Sequence, residues 1–358
     1  MKEKNRQKLF IKCAILLLKR VIRRGLQTME SKEEKLNPIY PEGLKAGDQV
    51  CIIDPANAFT EKALDAATSH LEARGLNVTV SEDMAFRRGT PKERAEKFNR
   101  VIEDPNNRGI FCIWGGYGTI PLLDKINYDA LSKNRPVFTG FSDITAMHLA
   151  IGQNTGLVTY HGPSFFSTSR QPTETALCNF LDVLASPGKE RELKNFNGEA
   201  FAVLKEGVCE GRIAGGNMTL VSRLMGTPYE IDARGKILFL EEVGEKPYRL
   251  HGMLYQLILA GKFEEAAGVI IGSLTDCDIE GRPGSAEAMV REVLGDLQIP
   301  VVLNVRAGHI KDPLTIPMNG LAKIDGARVI LLEFPQFYPQ TSDFAPLIIN
   351  NFMKMPKI

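Results

Sequence analysis

The chain has 358 residues, 44% of them hydrophobic and 24% charged, with 32 Gly and 20 Pro. That is enough for about two domains with sizeable cores, and it excludes a single small module, a disordered chain and a collagen or coiled-coil repeat. The formal net charge of +1 conceals an asymmetry, because residues 1–28 hold nine Lys/Arg against one Glu and leave the remainder mildly acidic; such a body lacks the positive field that nucleic-acid binding needs.

The first apolar run, Phe10 to Leu18, is interrupted by Lys12 and closed by Lys19-Arg20. A span of about nine residues is too short for a bilayer-crossing helix, which needs roughly 20. The basic residues Arg23 and Arg24 stand where a secretory signal would need small residues for cleavage. A basic, partly amphipathic helix suits an anionic membrane surface, but the expectation is an extension outside the fold over residues 1–42, of which residues 1–28 are dispensable, with Met29 as a natural start.

From Gly43 the pattern is α/β. Gln49 to Ile53 is an apolar strand that runs into Asp54-Pro55-Ala56-Asn57, and Glu61 to Arg74 has apolar residues at helical spacing. Leu76 to Val80 predicts a strand, Glu93 to Glu103 a helix, and Gly109 to Trp114 a fully apolar strand ending in Gly115-Gly116-Tyr117-Gly118. A helical stretch from Ile120 precedes the strand Pro136 to Gly140, and Asp143 to Gln153 predicts another helix. This alternation builds a parallel sheet covered on both faces, here assigned to residues 43–165.

Residues 166–205 are rich in Ser, Thr, Pro and Gly and read as a loop-like linker. The second unit, 206–334, holds Gly211 to Gly216, a helix over Asn217 to Met225, a strand over Lys236 to Leu240 and a helix around Tyr248 to Leu259. It continues with the strand Gly268 to Gly272, the helix Ser285 to Leu297, the strand Pro300 to Asn304 and a closing hairpin over Leu321 to Leu332 that turns at Asp325-Gly326. Residues 335–358 show no pattern and are read as a tail.

Several chemistries drop out on residue counts. The six cysteines, Cys13, Cys51, Cys112, Cys178, Cys209 and Cys277, never come closer than 31 residues, and the five histidines form no metal-ligating pair. Reduced thiols in a cytosolic protein are the simplest reading. The phosphate-cradling loop of nucleoside triphosphatases is absent.

A few candidate places for chemistry remain. In Thr139-Gly140-Phe141-Ser142-Asp143-Ile144 a serine stands between a strand end and a helix start, the place of a nucleophile elbow, although Ile144 replaces the usual second glycine. Taken alone, Ser142 reads as a helix N-cap and Gly115 to Gly118 as a tight turn. A hydroxyl nucleophile needs a base, and the base an orienting acid. His309, in a glycine-bearing loop, is one candidate base and His161, before Gly162-Pro163, is its rival. Glu241 and Glu242 end a buried strand, where two glutamates are also compatible with a solvated tip.

Together the motifs resemble the LD-carboxypeptidases, serine peptidases of bacterial cell-wall recycling. The likeness runs through Trp114-Gly115-Gly116-Tyr117-Gly118, Gly140-Phe141-Ser142-Asp143-Ile144-Thr145, Tyr160-His161-Gly162-Pro163, Ala214-Gly215-Gly216-Asn217, Leu240-Glu241-Glu242-Val243-Gly244-Glu245 and Gly308-His309. It implies a flavodoxin-like parallel-sheet domain followed by a β-rich, barrel-like domain with helices. It implies Ser142 as nucleophile, His309 as general base and Glu241 as its orienting acid, with the backbone N–H groups of Gly116 and Asp143 as oxyanion hole. Gly115, Tyr117 and Asn217 become candidate substrate contacts, and His161 a structural residue.

The resemblance further implies a cytoplasmic homodimer that acts on murein peptides without metal or cofactor. Two positions depart from the family: Trp114 stands where an Arg is common, and Asp54-Pro55-Ala56-Asn57 replaces an Ala-Pro-Ser type run. Two alternatives accompany the main reading. One is a hydrolase of adenylate conjugates like the microcin C immunity proteins, with Trp114 a candidate to stack on adenine; the other is a non-catalytic two-domain binding protein.

Overall fold

The computed structural model describes residues 37–56, 61–81, 89–163 and 172–333. Residues up to 36 and from 334 lie outside them, and so does any membrane contact of residues 1–28. The extension read as residues 1–42 is corrected at its end: Ile39 bridges Leu157 and exchanges backbone hydrogen bonds with Gly156 and Val158, and Leu321 N–H donates to the Tyr40 hydroxyl, so these residues belong to the fold. The described residues from Pro38 to Glu333 form one compact unit.

In chain order the elements are β1 (Gln49–Ile53), α1 (Glu61–Glu72), β2 (Asn77–Val80), α2 (Pro91–Glu103), β3 (Asn107–Cys112), α3 (Tyr128–Asn134), β4 (Val137–Gly140), α4 (Thr145–Thr155), β5 (Thr159–His161) and α5 (Glu174–Ala185). They continue with β6 (Arg191–Glu192), β7 (Ala202–Lys205), β8 (Val208–Asn217), α6 (Met218–Leu224), β9 (Ile237–Val243), α7 (Pro247–Leu259) and α8 (Lys262–Glu265). The last are β10 (Gly268–Thr275), α9 (Ser285–Leu294), β11 (Val301–Leu303), β12 (Ile316–Met318), β13 (Leu321–Asp325) and β14 (Arg328–Leu331).

The first sheet has the order β12-β5-β4-β3-β1-β2. Its first five strands in sequence are parallel and run 2-1-3-4-5, the flavodoxin-like doubly wound order. β12, from late in the chain, completes the edge antiparallel to β5, with Ile316 opposite His161. All its strands but the edge strand β2, which is part-exposed along its length, are buried nearly throughout, Val137–Gly140 without exception, as both-faced coverage demands.

The second sheet has the order β6-β14-β13-β8-β9-β10-β11-β7. Its β8-β9-β10-β11 centre is parallel and its flanks are antiparallel. It curls as a half-barrel, and β6 and β7 remain its two edges. The expected hairpin is β13-β14, with Asp325 opposite Arg328 and Gly326 at φ +58°, where glycine carries no steric penalty.

The stretch read as a loop-like linker contains a helix. Thr173 caps α5 through Ala176 N–H, and Leu177, Phe180, Leu181 and Leu184 are buried at helical spacing. The Ser, Thr, Pro and Gly content at the ends of that segment masked the apolar periodicity of its middle. Leu184 also accepts a backbone hydrogen bond from Leu44, so the helix is fixed to the strand layer.

One core spans both sheets. Phe138 from the first and Ile144 from the turn after it belong to the same buried cluster as Leu238, Leu240 and Val269 from the second. α4 lies between them, buried on every side at Thr145, Ala146, Met147, His148, Leu149, Ala150 and Ile151. The helix after the serine is therefore held by apolar contact all round, and burial of seven consecutive side chains leaves it no freedom to shift its first turn. None of the five described cysteines is in a disulfide.

Candidate active site

The site forms where the carboxyl ends of β3 and β4 meet those of β9 and the loop after β11. At the end of β4 the chain turns sharply: Phe141 is extended, and Ser142 has φ +60°. A non-glycine residue in the left-handed region costs on the order of 1–2 kcal/mol, and strain of this kind collects at functional positions. The Ser142 hydroxyl caps no helix, because neither the short 3-10 turn Ser142–Ile144 nor α4 has a side-chain cap. Capping, the ordinary explanation for a serine here, is thus removed.

The turn is braced from three sides. His148 of α4 accepts from the Thr159 hydroxyl at Nδ1 (2.7 Å) and donates from Nε2 to the Gly140 carbonyl (3.0 Å). Thr119, which follows the glycine loop, donates its N–H to Asp143 Oδ2 (2.9 Å) and its hydroxyl to the Asp143 carbonyl (2.8 Å). Thr145 Oγ1 accepts the Asn217 N–H at 2.9 Å, joining the elbow to the end of β8. Burial raises the Asp143 carboxyl, while Thr119 and the charges of Arg223 and Arg94 oppose the shift.

His148 has a consequence for stability. Burial, with the imidazole of His161 as the second cause, lowers its pKa to about 3 against an opposing hydrogen bond to Gly140. The folded form therefore keeps it uncharged while an unfolded chain protonates near 6.5. Its contribution is complete above that pH and is lost as pH falls toward 3, with a slope of up to about 1.4 kcal/mol per pH unit. Urea unfolding from pH 7 to 4 is expected to show this slope in the parent and a shallower one in His148→Gln; equal slopes would refute the uncharged, buried imidazole.

The glycine loop lies directly on the serine. A side-chain carbon at Gly115 would stand 2.5 Å from Ser142 Cβ and 2.8 Å from its Oγ, closer than atoms tolerate. Gly116 and Tyr117 are open to solvent, Tyr117 58% exposed. Arg94 of α2 holds the loop from behind, donating to the carbonyls of Pro55 (2.7 Å) and Gly118. Gly115→Ala is expected to lower kcat/KM about a hundredfold by displacing the serine, as a shift near 1 Å does, with little change in fold by circular dichroism.

Across from the serine, Glu241 is completely buried. It belongs to β9, which extends to Val243, so the solvated-tip reading of Glu241 and Glu242 is corrected: Glu241 pairs with Asn217 of β8 and Glu242 with Leu274 of β10, and both side chains are buried. Glu241 Oε2 accepts from His309 Nδ1 at 2.8 Å, and the His309 side chain is 10% exposed. Burial by itself raises the Glu241 carboxyl, but the imidazoles of His309 and His161 bring it down to about 2. An ionised carboxylate only accepts, so His309 carries its proton on Nδ1 and leaves Nε2 as a base. The His309 ring lies against Phe141, next to Ser142, with centroids 4.9 Å apart.

Glu242 does a different task. Its carboxylate accepts from Asn217 Nδ2 (2.8 Å), Thr219 N–H (2.7 Å) and Val243 N–H (2.9 Å), satisfying free amides at the start of α6. Asn217, a candidate substrate contact on sequence, is buried and caps α6 through Leu220 N–H, so both ends of its amide are engaged within the protein. Among the described residues no group of three or more His, Cys, Asp or Glu side chains converges to hold a metal ion, and no helix is long and apolar enough to cross a membrane.

A strained serine at the tip of a central parallel strand, whose neighbour Phe141 packs against the imidazole of a buried carboxylate–imidazole pair, is a layout suited to hydrolysis. Comparison with known proteins agrees. Residues 50–162 match the LD-carboxypeptidase N-terminal domain and residues 210–324 its C-terminal domain. The chain is 33% identical over 300 residues, 80% of its length and 92% of the relative's, to a probable murein peptide carboxypeptidase of Bacillus subtilis. To a murein tetrapeptide carboxypeptidase of Pseudomonas aeruginosa it is 28% identical, covering 78% of this chain and 94% of the other. Among solved structures, an MccF-like protein from Bacillus anthracis superposes with TM-score 0.74 at 26% identity, over 83% of this chain and all of the other. This chain belongs to the LD-carboxypeptidase family and is a hydrolase, as its motifs led one to expect.

Proposed function

We propose that the protein is a serine LD-carboxypeptidase that removes the terminal D-Ala of a murein tetrapeptide. The observation that carries this reading is the buried Glu241–His309 hydrogen bond of 2.8 Å beside Ser142 at φ +60°. In it the nucleophile comes from the N-terminal part of the chain, 43–165, and the acid and base from 206–334.

Ser142 Oγ attacks the carbonyl carbon of the L,D-peptide bond while His309 Nε2 takes its proton. The oxyanion receives the N–H of Asp143, the first amide after the nucleophile, and of Gly116, beside the glycine that lies on Ser142. Collapse breaks the C–N bond, and His309 returns the proton to the departing D-Ala amine. Water, deprotonated by His309, then attacks the acyl-enzyme; the C–O bond to Ser142 breaks and the serine is reprotonated. Glu241 holds the Nδ1–H tautomer and balances the imidazolium. Every step is served by a side chain or amide, with no metal or cofactor, and the reading places the enzyme in the cytoplasm as a homodimer.

The test is release of D-Ala from a purified murein tetrapeptide, with an aminoacyl sulfamoyl adenosine offered in parallel. Release of D-Ala with no cleavage of the nucleoside supports the carboxypeptidase. Cleavage of the nucleoside alone overturns it in favour of an adenylate-conjugate hydrolase, and failure on both favours a binding protein.

A further inference from the structure

The Glu241 carboxylate faces two imidazoles. Oε2 is bonded to His309, whereas Oε1 looks toward His161 Nε2 at 3.8 Å. His161 is at the end of β5 and 1% exposed. Glu241 Oε1 and both ring nitrogens of His161 lack a hydrogen-bond partner. Three buried polar atoms left unmatched within reach of one another are costly. A single hydrogen bond from Nε2–H to Oε1 would satisfy two of them.

The ring is held for this contact. Phe141 from the elbow and Phe239 from β9 pack edge-on against it, with centroids 6.3 Å and 5.3 Å away, and Ile316 of β12 pairs with its backbone. Among the described residues the titratable groups in contact with it are His148 of α4, uncharged and 6.2 Å away by ring centroids, and Glu241 of β9. The separation of 3.8 Å is closed by a small rotation about the last torsion of Glu241, which is soft in carboxylates.

We propose that His161 is a positioning residue: its Nε2–H donates to Glu241 Oε1 and fixes the carboxylate that orients His309. This rests on the assignment of Ser142, Glu241 and His309 made above. A carboxylate held at one oxygen only can swing; held at both, it presents Oε2 to His309 in one orientation throughout the proton transfers. The second donor also draws charge from the carboxylate, so its removal makes Glu241 a stronger partner for the imidazolium.

Two variants and one measurement on the parent test it. His161→Phe keeps the ring volume and removes the donor, while His161→Gln places an amide N–H at the same reach. The Phe variant is expected to lose about 10- to 100-fold in kcat, keep KM within a factor of about two, and move the acid limb of kcat/KM to higher pH; the Gln variant should recover most of the rate and the parent profile. Nitrogen-15 imidazole spectra of the parent should show the proton of His161 on Nε2 with Nδ1 bare. A Phe variant with the parent's kcat and acid limb overturns the proposal. So does a proton on Nδ1 with bare Nε2 facing the carboxylate, and this readout decides even if the Phe variant does not fold. If the parent releases no D-Ala, the functional assignment fails, while the spectra still judge the His161–Glu241 contact.

Discussion

Ser142→Ala and Ser142→Gly should both abolish turnover, by on the order of a millionfold in kcat, and yet differ in stability in a direction that function alone does not foresee. The loss follows from removing the only atom proposed to form the acyl-enzyme; neither variant retains an oxygen for His309 to activate. The difference follows from the backbone. With φ at +60°, alanine keeps the left-handed penalty and glycine is free of it. Glycine also enlarges the unfolded ensemble, an opposing effect of about 0.4–1 kcal/mol, so the net gain over alanine is roughly 0.5–1 kcal/mol and about 2 °C in Tm for a chain of this size. Calorimetry on both variants, with D-Ala release as the activity readout, checks the pair. A glycine variant that melts below the alanine one would show that the elbow is unstrained, and turnover by either would remove Ser142 from the mechanism.

That strain is also the reason the serine is hard to judge from sequence. A Gly-Phe-Ser-Asp run between strand and helix has the composition of an N-cap, and the second glycine that would advertise an elbow is replaced by Ile144. Ile144 fits because its side chain is directed into the core, where a side-chain carbon on Gly140 would meet it at 2.7 Å. The alternating strands and helices were readable because the central strands β1, β4 and β9 carry apolar runs that are buried nearly throughout, as double-sided burial requires. The helix α5 was missed because its polar flanks outweighed a short apolar period, and the antiparallel edge strand β12 because three residues carry no pattern of their own.

Legibility fails in a second way for residues whose task is to hold others. His148 is part of an apolar helix and reads as core; only the fold shows it bonded to Gly140, two residues before the serine. Arg94 lies 20 residues before Trp114 in a helix that reads as an ordinary amphipathic one, yet its guanidinium reaches the Gly118 carbonyl. Thr119 and Asp143 meet across 24 positions. Such residues are chosen by distances between elements, which local periodicity does not contain. A motif such as Leu240-Glu241-Glu242 carries the carboxylate to the right strand, but does not tell which glutamate faces the imidazole and which caps the neighbouring helix.

The same distinction sets the second large effect. Glu241→Gln is expected to leave the fold in place, since the amide has the volume of the acid, and to lower kcat by about ten-thousandfold, the size seen when the orienting carboxylate of such triads becomes an amide. The reason is the tautomer. An ionised Glu241 can only accept from His309 Nδ1–H, whereas an amide can present its N–H to Nδ1 and drive the proton onto Nε2, the position that must be bare to take it from Ser142. The pH profile separates this from a mere loss of packing. Because Glu241 titrates at about 2, it is ionised at every pH where the enzyme is assayed, and the acid limb of kcat/KM in the parent reports the imidazole. Without the adjacent negative charge the imidazolium is less favoured, so the residual activity of the glutamine variant should extend to lower pH than the parent's. Glu242→Gln serves as the comparison. It keeps an oxygen for the Thr219 N–H but loses the charge at the α6 N-terminus, a contribution of about 0.3–1 kcal/mol, so it should lower stability and leave the acid limb where it was. An unchanged limb in Glu241→Gln would assign the orienting carboxylate elsewhere.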